Sequence, residues 1–428
     1  MSNADWMGTV LMSARPTAMA ALVRYFRDLD AAEEAFQEAC LRALRTWPGN
    51  GPPRDPAAWL IMVARNSGID HARRARRHVA LPDDDVAISD VSDQEVPAVE
   101  RIDAADYRDD ILRLMFICCH PELPATQQIA LALRIVSGLS VAQIARAFLV
   151  SEAAMEQRIT RAKARVAKAA RTFETPGAVE RSERLAAVAA MVYLVFNEGY
   201  SAPHADAADK GPLADEAIRL ARLLLQIFPA EPEAMGLTAL LLLQHARAPA
   251  RFDAAGEAIL LADQDRRLWR QSLIAEGLAL VDKAMRHRRP GPYQIQSAIA
   301  ALHARAETAD ATDWPQIELL YGALERVSPS PVVTLNRAVA VAKARGPAAA
   351  LEMIEPLAPS LSNYFYFHGA MGSFLADVGR LMEAREAFNR AIALAHSPAE
   401  ASHIRRELDR LAPPQRKPGK VTIKNKSG

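Results

Sequence analysis

The chain has 428 residues, a length that suggests about two or three domains. Half of its residues are hydrophobic, 6% are aromatic and the formal net charge is +1, so the overall charge favours neither a nucleic acid nor an acidic partner. The three cysteines are too few for a disulfide framework, and Cys118-Cys119 lacks the paired spacing of a zinc site. We expect buried thiols and no bound metal.

Neither a secretory leader nor a long uncharged apolar run is visible, so we expect a soluble, cytoplasmic protein without membrane contact. No run of alternating β-branched residues stands out, which favours an all-α fold. Basic clusters at 65–78 and 158–171 and an acidic stretch at 83–110 show that charge is distributed unevenly. Local charge must therefore indicate the partners.

The first predicted helices cover residues 16–26 and 30–45. Asp30 is a good N-cap residue, and acidic residues in the following turn suit the positive end of a helix. The polar face of the second helix is solvated surface by default, and alternatively a docking face for a basic helical partner. An apolar stripe is expected on its other side, formed by Ala35, Phe36, Ala39, Leu41 and Leu44.

A Pro- and Gly-rich loop at 47–53 precedes a predicted helix at 57–77, with Pro56 in its tolerated first turn. The first half of this helix is apolar and the second half is dense in arginine. Favourable charge at a helix C-terminus explains one or two arginines, but not this many. The density indicates phosphate neutralisation, with Asn66 and Asp70 able to read or trap bases. Residues 81–105 are rich in Pro and Asp and predict a flexible acidic linker.

Residues 124–169 predict three helices joined by two tight connections. Ser137-Gly138 ends the first helix, Ser140 caps a short second helix at 141–147, and Ser151 caps a longer third helix. This is the pattern of a helix-turn-helix, whose second helix enters the major groove. The alternative is an ordinary three-helix core with a solvated basic face.

Three segments carry a family resemblance: ALVRYFRDLDAAEEAFQEACLRALRTW, AAWLIMVARNSGIDHARR and, after the acidic linker, LSVAQIARAFLVSEAAMEQRITRAKARV. Together they resemble an extracytoplasmic-function (ECF) RNA polymerase sigma factor over roughly the first 170 residues. The resemblance implies a region 2 domain at 1–80, the linker at 81–105 and a region 4 helix-turn-helix domain at 106–175. Its implied partners are promoter DNA and core RNA polymerase, through the β′ clamp helices and the β flap.

The resemblance also implies three sets of site residues. Polymerase docking falls on Asp30, Glu33, Glu34, Gln37 and Glu38. Melting and holding of the downstream promoter element falls on Trp59, Arg65, Asn66, Asp70, Arg73, Arg74 and Arg77. Contact with the upstream element falls on Ser151, Glu152, Gln157, Arg158, Arg161, Lys163 and Arg165.

An ordinary ECF factor would end near residue 170, whereas this chain continues with further helical patterns at 176–412 and a polar, disordered basic tail at 413–428. Residues 371–398 have tetratricopeptide spacing, and 332–358 repeat it less cleanly. The chain thus resembles the ECF group with a C-terminal tetratricopeptide-like extension. Contact with the sigma domains or a ligand is expected at Asn197, Glu198, Tyr200, Asp265, Arg267 and Trp269, although a turn and a charged helix start explain them too.

No catalytic triad, phosphate-binding loop or metal motif is recognisable, so we expect neither an enzyme nor a cofactor. The sequence predicts a sigma factor regulated in cis by its extension. A free-standing helix-turn-helix regulator with a repeat scaffold is the main alternative. A peptide-binding adaptor or an enzyme built on the repeat domain is a third, which would require a concave polar pocket.

Overall fold

The structure is a computed structural model that describes residues 3–76, 104–148, 150–168, 178–200, 207–253, 257–395 and 398–411. The predicted acidic linker lies almost entirely outside these ranges, as does the predicted basic tail. Within them the regular elements are helices, and the only β pairing is an isolated bridge between Phe252 and Ala258. The predicted all-α fold class is confirmed. The helices fall into two compact units, α1 to α9 and α10 to α19.

The first unit is built from nine helices in the described ranges. Their bounds are α1 Asn3–Phe26, α2 Leu29–Asn50, α3 Pro56–Arg76, α4 Ala104–Cys118, α5 Ala125–Ile135, α6 Val141–Ala147, α7 Glu152–Lys168, α8 Ala178–Tyr200 and α9 Ala207–Ile227. Helices α1, α2 and α3 pack against one another, and α5, α6 and α7 form the predicted helix-turn-helix domain.

The second unit continues the helical pattern. Its helices are α10 Pro232–His245, α11 Gln271–Met285, α12 Pro292–Arg305, α13 Trp314–Val327, α14 Pro331–Arg345, α15 Pro347–Ile354, α16 Ala358–Leu361, α17 Phe365–Asp377, α18 Leu381–Leu394 and α19 Pro398–Arg410. Neighbouring helices pack in sequence, as α13 does with α14 and α17 with α18. Gly372 allows the last of these contacts, because a Cβ atom there would lie 2.5 Å from a ring carbon of Phe388.

Two details of the second helix differ from the sequence prediction. Asp28, and not Asp30, caps α2: its carboxylate accepts hydrogen bonds from the backbone N–H groups of Asp30 and Ala31 at 2.8 and 2.9 Å. Leu41 and Leu44, expected in the core, are 58% and 47% exposed. The buried side of α2 is formed instead by Ala32, Ala35, Phe36, Ala39, Ala43 and Trp47.

The helix-turn-helix has the predicted local chemistry. Gly138 adopts a φ of 75°, a region that favours glycine, directly before α6. A capping box closes the N-terminus of α6, since Ser140 Oγ accepts from Gln143 N and Gln143 Oε1 accepts from Ser140 N. Ser151 Oγ accepts from Ala154 N at 3.2 Å and caps α7. Local side-chain bonds therefore fix the entry of both helices.

Two helices that follow the helix-turn-helix belong to the first unit. Helix α8 packs against α4 and α5, and α9 packs against α6 and α8. The apolar face of α8 is fully enclosed there: Val188, Val192, Val195 and Phe196 have no exposed surface. The sequence had grouped residues from 176 onward into one regulatory domain, and the packing instead joins α8 and α9 to the helices before them.

The cysteine thiols at the end of α4 are buried, as the sequence predicts. Burial raises the pKa of Cys119 to about 12 and that of Cys118 well above its ordinary value, so both stay protonated at neutral pH. In the part of the chain that the structure describes, no helix combines the length and apolar character needed to cross a membrane.

Candidate polymerase and promoter interface

Helix α2 presents an exposed stripe of mixed polar and apolar side chains. Glu34, Gln37, Leu41 and Leu44 stand at i, i+3, i+7 and i+10 and are all exposed, so they share one face of the helix. Glu38, also exposed, borders this stripe. Two largely exposed leucines side by side among acidic and amide groups make a surface suited to another protein rather than to water alone. We call these five residues the α2 face.

The other two predicted docking residues do not belong to the α2 face. The Glu33 side chain is 6% exposed and contacts three cations: its carboxylate lies 2.5 Å from Arg134, 2.8 Å from Lys163 and 3.8 Å from Arg15. Asp30, with a side chain 76% exposed, also accepts a hydrogen bond from Lys163 Nζ at 2.6 Å. These two carboxylates are engaged by residues of α1, α5 and α7.

Helix α3 carries the predicted downstream-element residues. Trp59 packs edge-on against Trp47 with ring centroids 5.3 Å apart, and the Arg65 guanidinium lies 4.3 Å from the ring centroid of Tyr25. Asn66 is exposed. Aromatic contacts thus fix the first half of α3 on the core. The side chains of Asp70, Arg73 and Arg74 lie outside the described part of the structure, as does all of Arg77.

Helix α7 divides its polar residues between two directions. Gln157 and Arg161 are exposed, and a long contact of 3.5 Å joins Arg161 Nη2 to Gln157 Oε1 across one helical turn. Arg158 beside them is half-buried. Lys163 instead turns toward α2, and Arg165 donates to the Glu122 carbonyl at 3.1 Å. Ser151 and Glu152 are exposed at the start of α7.

The predicted regulatory residues lie in both units. Asn197 and Glu198 are half-buried in the last turn of α8, where Tyr200 stacks on Phe196 at 5.0 Å. In the second unit, Arg267 forms an exposed pair with Asp265 at 2.7 Å, and Trp269, 4% exposed, belongs to the hydrophobic core beside α11.

Two residues at this site were missed by the sequence reasoning. Arg15 of α1 and Arg134 of α5 both approach Glu33, and Arg15 also lies 4.8 Å from the ring centroid of Phe36. Neither residue stands out in a local pattern, because the partners are more than a hundred positions apart. A buried glutamate in α2 is the only sequence signal that could have called for a cation, and its burial is not visible in the sequence.

Comparison with known protein families decides what these surfaces belong to. Residues 11–78 match the family described as sigma-70 region 2, and residues 113–166 match sigma-70 region 4. The chain is a sigma factor. Region 2 covers α1 to α3, and region 4 covers α5 to α7 with most of α4. Residues 184–285 match a family of unknown function, DUF6596.

Two relatives extend this result. The uncharacterized protein R00370 of Rhizobium meliloti (strain 1021) is 68% identical over 412 residues, which are 96% of this chain and 97% of that protein. The sigma factor therefore belongs to one family with R00370 over nearly its whole length. The ECF RNA polymerase sigma factor SigM of Mycobacterium tuberculosis (strain ATCC 25618 / H37Rv) is 30% identical over 145 residues, 33% of this chain and 65% of SigM.

Proposed function

We propose that the protein is an ECF-type sigma factor that acts in the cytoplasm. It binds core RNA polymerase, directs promoter recognition and DNA melting, and has no catalytic site of its own. Its C-terminal helices regulate it in cis. The proposal adds the ECF type, the contact surfaces and the mode of regulation to the sigma-factor assignment.

The α2 face is the observation that supports polymerase docking best. Leu41 and Leu44 keep about half of their surface exposed although the neighbouring turns of α2 are buried, and side chains of this kind are costly to leave in water without a partner. The acidic and amide groups around them suit a basic helical partner such as the polymerase clamp helices. Apolar anchors with a polar rim are the usual composition of a protein interface.

The promoter contacts are assigned to α3 and α7. The exposed edge of α7 carries Gln157 and Arg161 with Arg158 beside them, an amide and two guanidinium groups that can donate to base edges or phosphates. Asn66 on α3 is exposed where the helix enters its arginine-rich half. We assign sequence reading of the upstream element to α7, and holding of the melted downstream element to α3.

Regulation in cis is supported by the position of α8 and α9. Both follow region 4 in the chain and pack against its helices, α9 on the first helix of the helix-turn-helix itself. Any force on α9 therefore reaches the DNA-reading domain directly. Removing residues 230–428 leaves α1 to α9 in place and tests this part of the proposal. Promoter-dependent transcription that is unchanged by the removal, in vitro and in cells, would reject it.

A gel shift of promoter DNA with and without core polymerase tests the proposal against the free-standing regulator. Sigma factors of this type are expected to bind promoters well only within the holoenzyme, so a shift that requires core polymerase supports the proposal. Tight and specific duplex binding by the protein alone, unaffected by core polymerase, would favour the free-standing regulator.

A further inference from the structure

Regions 2 and 4 contact each other directly in the first unit. The centre of this contact is Glu33 of α2, whose carboxylate meets Arg134 of α5 at 2.5 Å and Lys163 of α7 at 2.8 Å. The Lys163 side chain is 15% exposed and also binds Asp30 at 2.6 Å. Each of these pairs joins one region to the other. We call the four residues, together with Arg15, the interdomain ion cluster.

Arg15 of α1 strengthens the same contact from below. Its Nε and Nη2 atoms donate to the carbonyl oxygens of Ile135 and Arg134, both at 3.1 Å, and so cap the C-terminus of α5. The Arg15 chain packs on Gly138, where a Cβ atom would lie 2.6 Å from Arg15 Cδ. The turn that leads into the helix-turn-helix is therefore shaped to receive a region 2 arginine.

A second pair supports the contact on the other side of α1. Asp110 of α4, with a side chain 2% exposed, lies 3.1 Å from Arg24 of α1 and 3.2 Å from Arg113. Helix α1 packs along α4 between the two ion clusters. Buried carboxylates are stable only when cations compensate them, and both Glu33 and Asp110 draw at least one cation from the opposite region. The packed arrangement thus has built-in partners and is not a chance approach of two surfaces.

This arrangement competes with the two surfaces assigned above. Asp30 and Glu33 border the α2 face, and Lys163 stands on the helix assigned to the upstream promoter element. While they bind each other, neither carboxylate can meet polymerase and Lys163 cannot meet DNA. A sigma factor whose two regions read separate promoter elements must also move these regions apart.

We infer that the packed arrangement of regions 2 and 4 is an autoinhibited closed state of the free protein. Core polymerase opens it by binding the α2 face and separating α2 from α7. The interdomain ion cluster is its latch. This inference rests on the proposed function, since it specifies how the proposed polymerase and promoter surfaces are kept from their partners.

A zero-length cross-link tests the closed state in the full-length protein. A water-soluble carbodiimide activates the Asp30 or Glu33 carboxylate, and the Lys163 amine then displaces the urea and forms an amide, the carbodiimide taking up the water that is lost. We expect this Lys163 cross-link, identified by peptide mass spectrometry, in the free protein and its disappearance when excess core polymerase is bound first. An equal yield in the free and the bound protein would overturn the inference.

A charge reversal outside the assigned binding surfaces tests the latch. Arg134→Glu places a like charge against Glu33, so we expect loss of the cross-link and about tenfold tighter binding of core polymerase, because the binding-competent state no longer has to be selected from a closed majority. Arg286→Glu, the same charge change at an exposed position of the second unit, should change neither. Arg15→Ala is the second opening variant and should act in the same direction if Arg134→Glu does not fold.

The outcomes separate the two levels of the proposal. If the wild-type protein binds core polymerase but the opened variants bind it no better, the closed state is not inhibitory and only the present inference fails. If neither the wild-type nor an opened, folded variant binds core polymerase, the proposed function fails and the inference fails with it.

Discussion

Lys163 Nζ lies 2.6 Å from Asp30 Oδ1, a contact that joins two helices across 133 positions of the chain. Burial alone would lower the pKa of Lys163, but its hydrogen bonds and charge interactions with Asp30 and Glu33 outweigh burial and raise it. Because the folded pKa is raised, the stabilisation from this lysine is fully present below its ordinary pKa and is lost only as the pH rises through the folded value. The contact therefore persists throughout the physiological range.

Leu41 on the α2 face should be an anchor for core polymerase. We expect Leu41→Asp to weaken polymerase binding about tenfold or more, since apolar anchors at the centre of an interface carry much of its energy. The matched control is Leu319→Asp, which alters a leucine that is 72% exposed in the second unit and should leave binding unchanged. Titration of labelled core polymerase measures both. Equal affinities for the two variants would exclude the α2 face as the docking surface.

Arg161 should contact the upstream promoter element. If it reads a base, Arg161→Ala costs about 1–3 kcal/mol of binding to the holoenzyme and relaxes the sequence preference at one position. If it contacts a phosphate, the substitution weakens all promoters alike and lowers the salt dependence of binding. Glu156→Gln, an exposed change one residue before Gln157, is the control. Holoenzyme affinities for a set of single-base promoter variants distinguish the two, and no effect on any promoter would remove Arg161 from the interface.

The local features of the fold were the ones accessible to sequence reasoning. Ser140 and Ser151 were recognised as caps because a cap acts within one turn of its own helix. The cap of α2 was placed two residues late, since Asp28 and Asp30 are both suitable and only the backbone decides between them. Periodicity put Leu41 and Leu44 in the core, because spacing alone does not tell a buried face from a docking face. The pairing of Glu33 with Arg134 depends on tertiary packing and leaves no local trace.

His303 should make the stability of the second unit pH-dependent. Burial, with Arg247 and Arg266 nearby, lowers the pKa of His303 from 6.5 to about 4. Below about pH 6.5 the unfolded chain takes up a proton that the folded unit refuses, so the free energy of unfolding falls by up to ~3 kcal/mol as the pH drops toward 4. Above pH 6.5 this residue has no effect. Urea unfolding at several pH values should show a weaker acid dependence for His303→Gln, and an unchanged dependence would contradict the prediction.

Gly372 should be intolerant of a side chain. A Cβ atom at this position would lie 2.5 Å from the buried ring of Phe388, so Gly372→Ala should destabilise the second unit by about 1–3 kcal/mol through overpacking. Gly322→Ala is the matched control in another helix, where the nearest atom would be 3.6 Å away. That change should be neutral or stabilise by about 0.5–1 kcal/mol, because alanine favours a helix over glycine. Urea unfolding of the two variants compares them directly, and similar stabilities would reject the packing argument.

Run-off transcription with purified core polymerase and the full-length protein on genomic promoter fragments tests the central claim most directly. The account predicts transcripts that start at defined sites, that require both the protein and core polymerase, and that decrease with Leu41→Asp but not with Leu319→Asp. Absence of any defined start site, together with tight duplex binding by the protein alone, would contradict it.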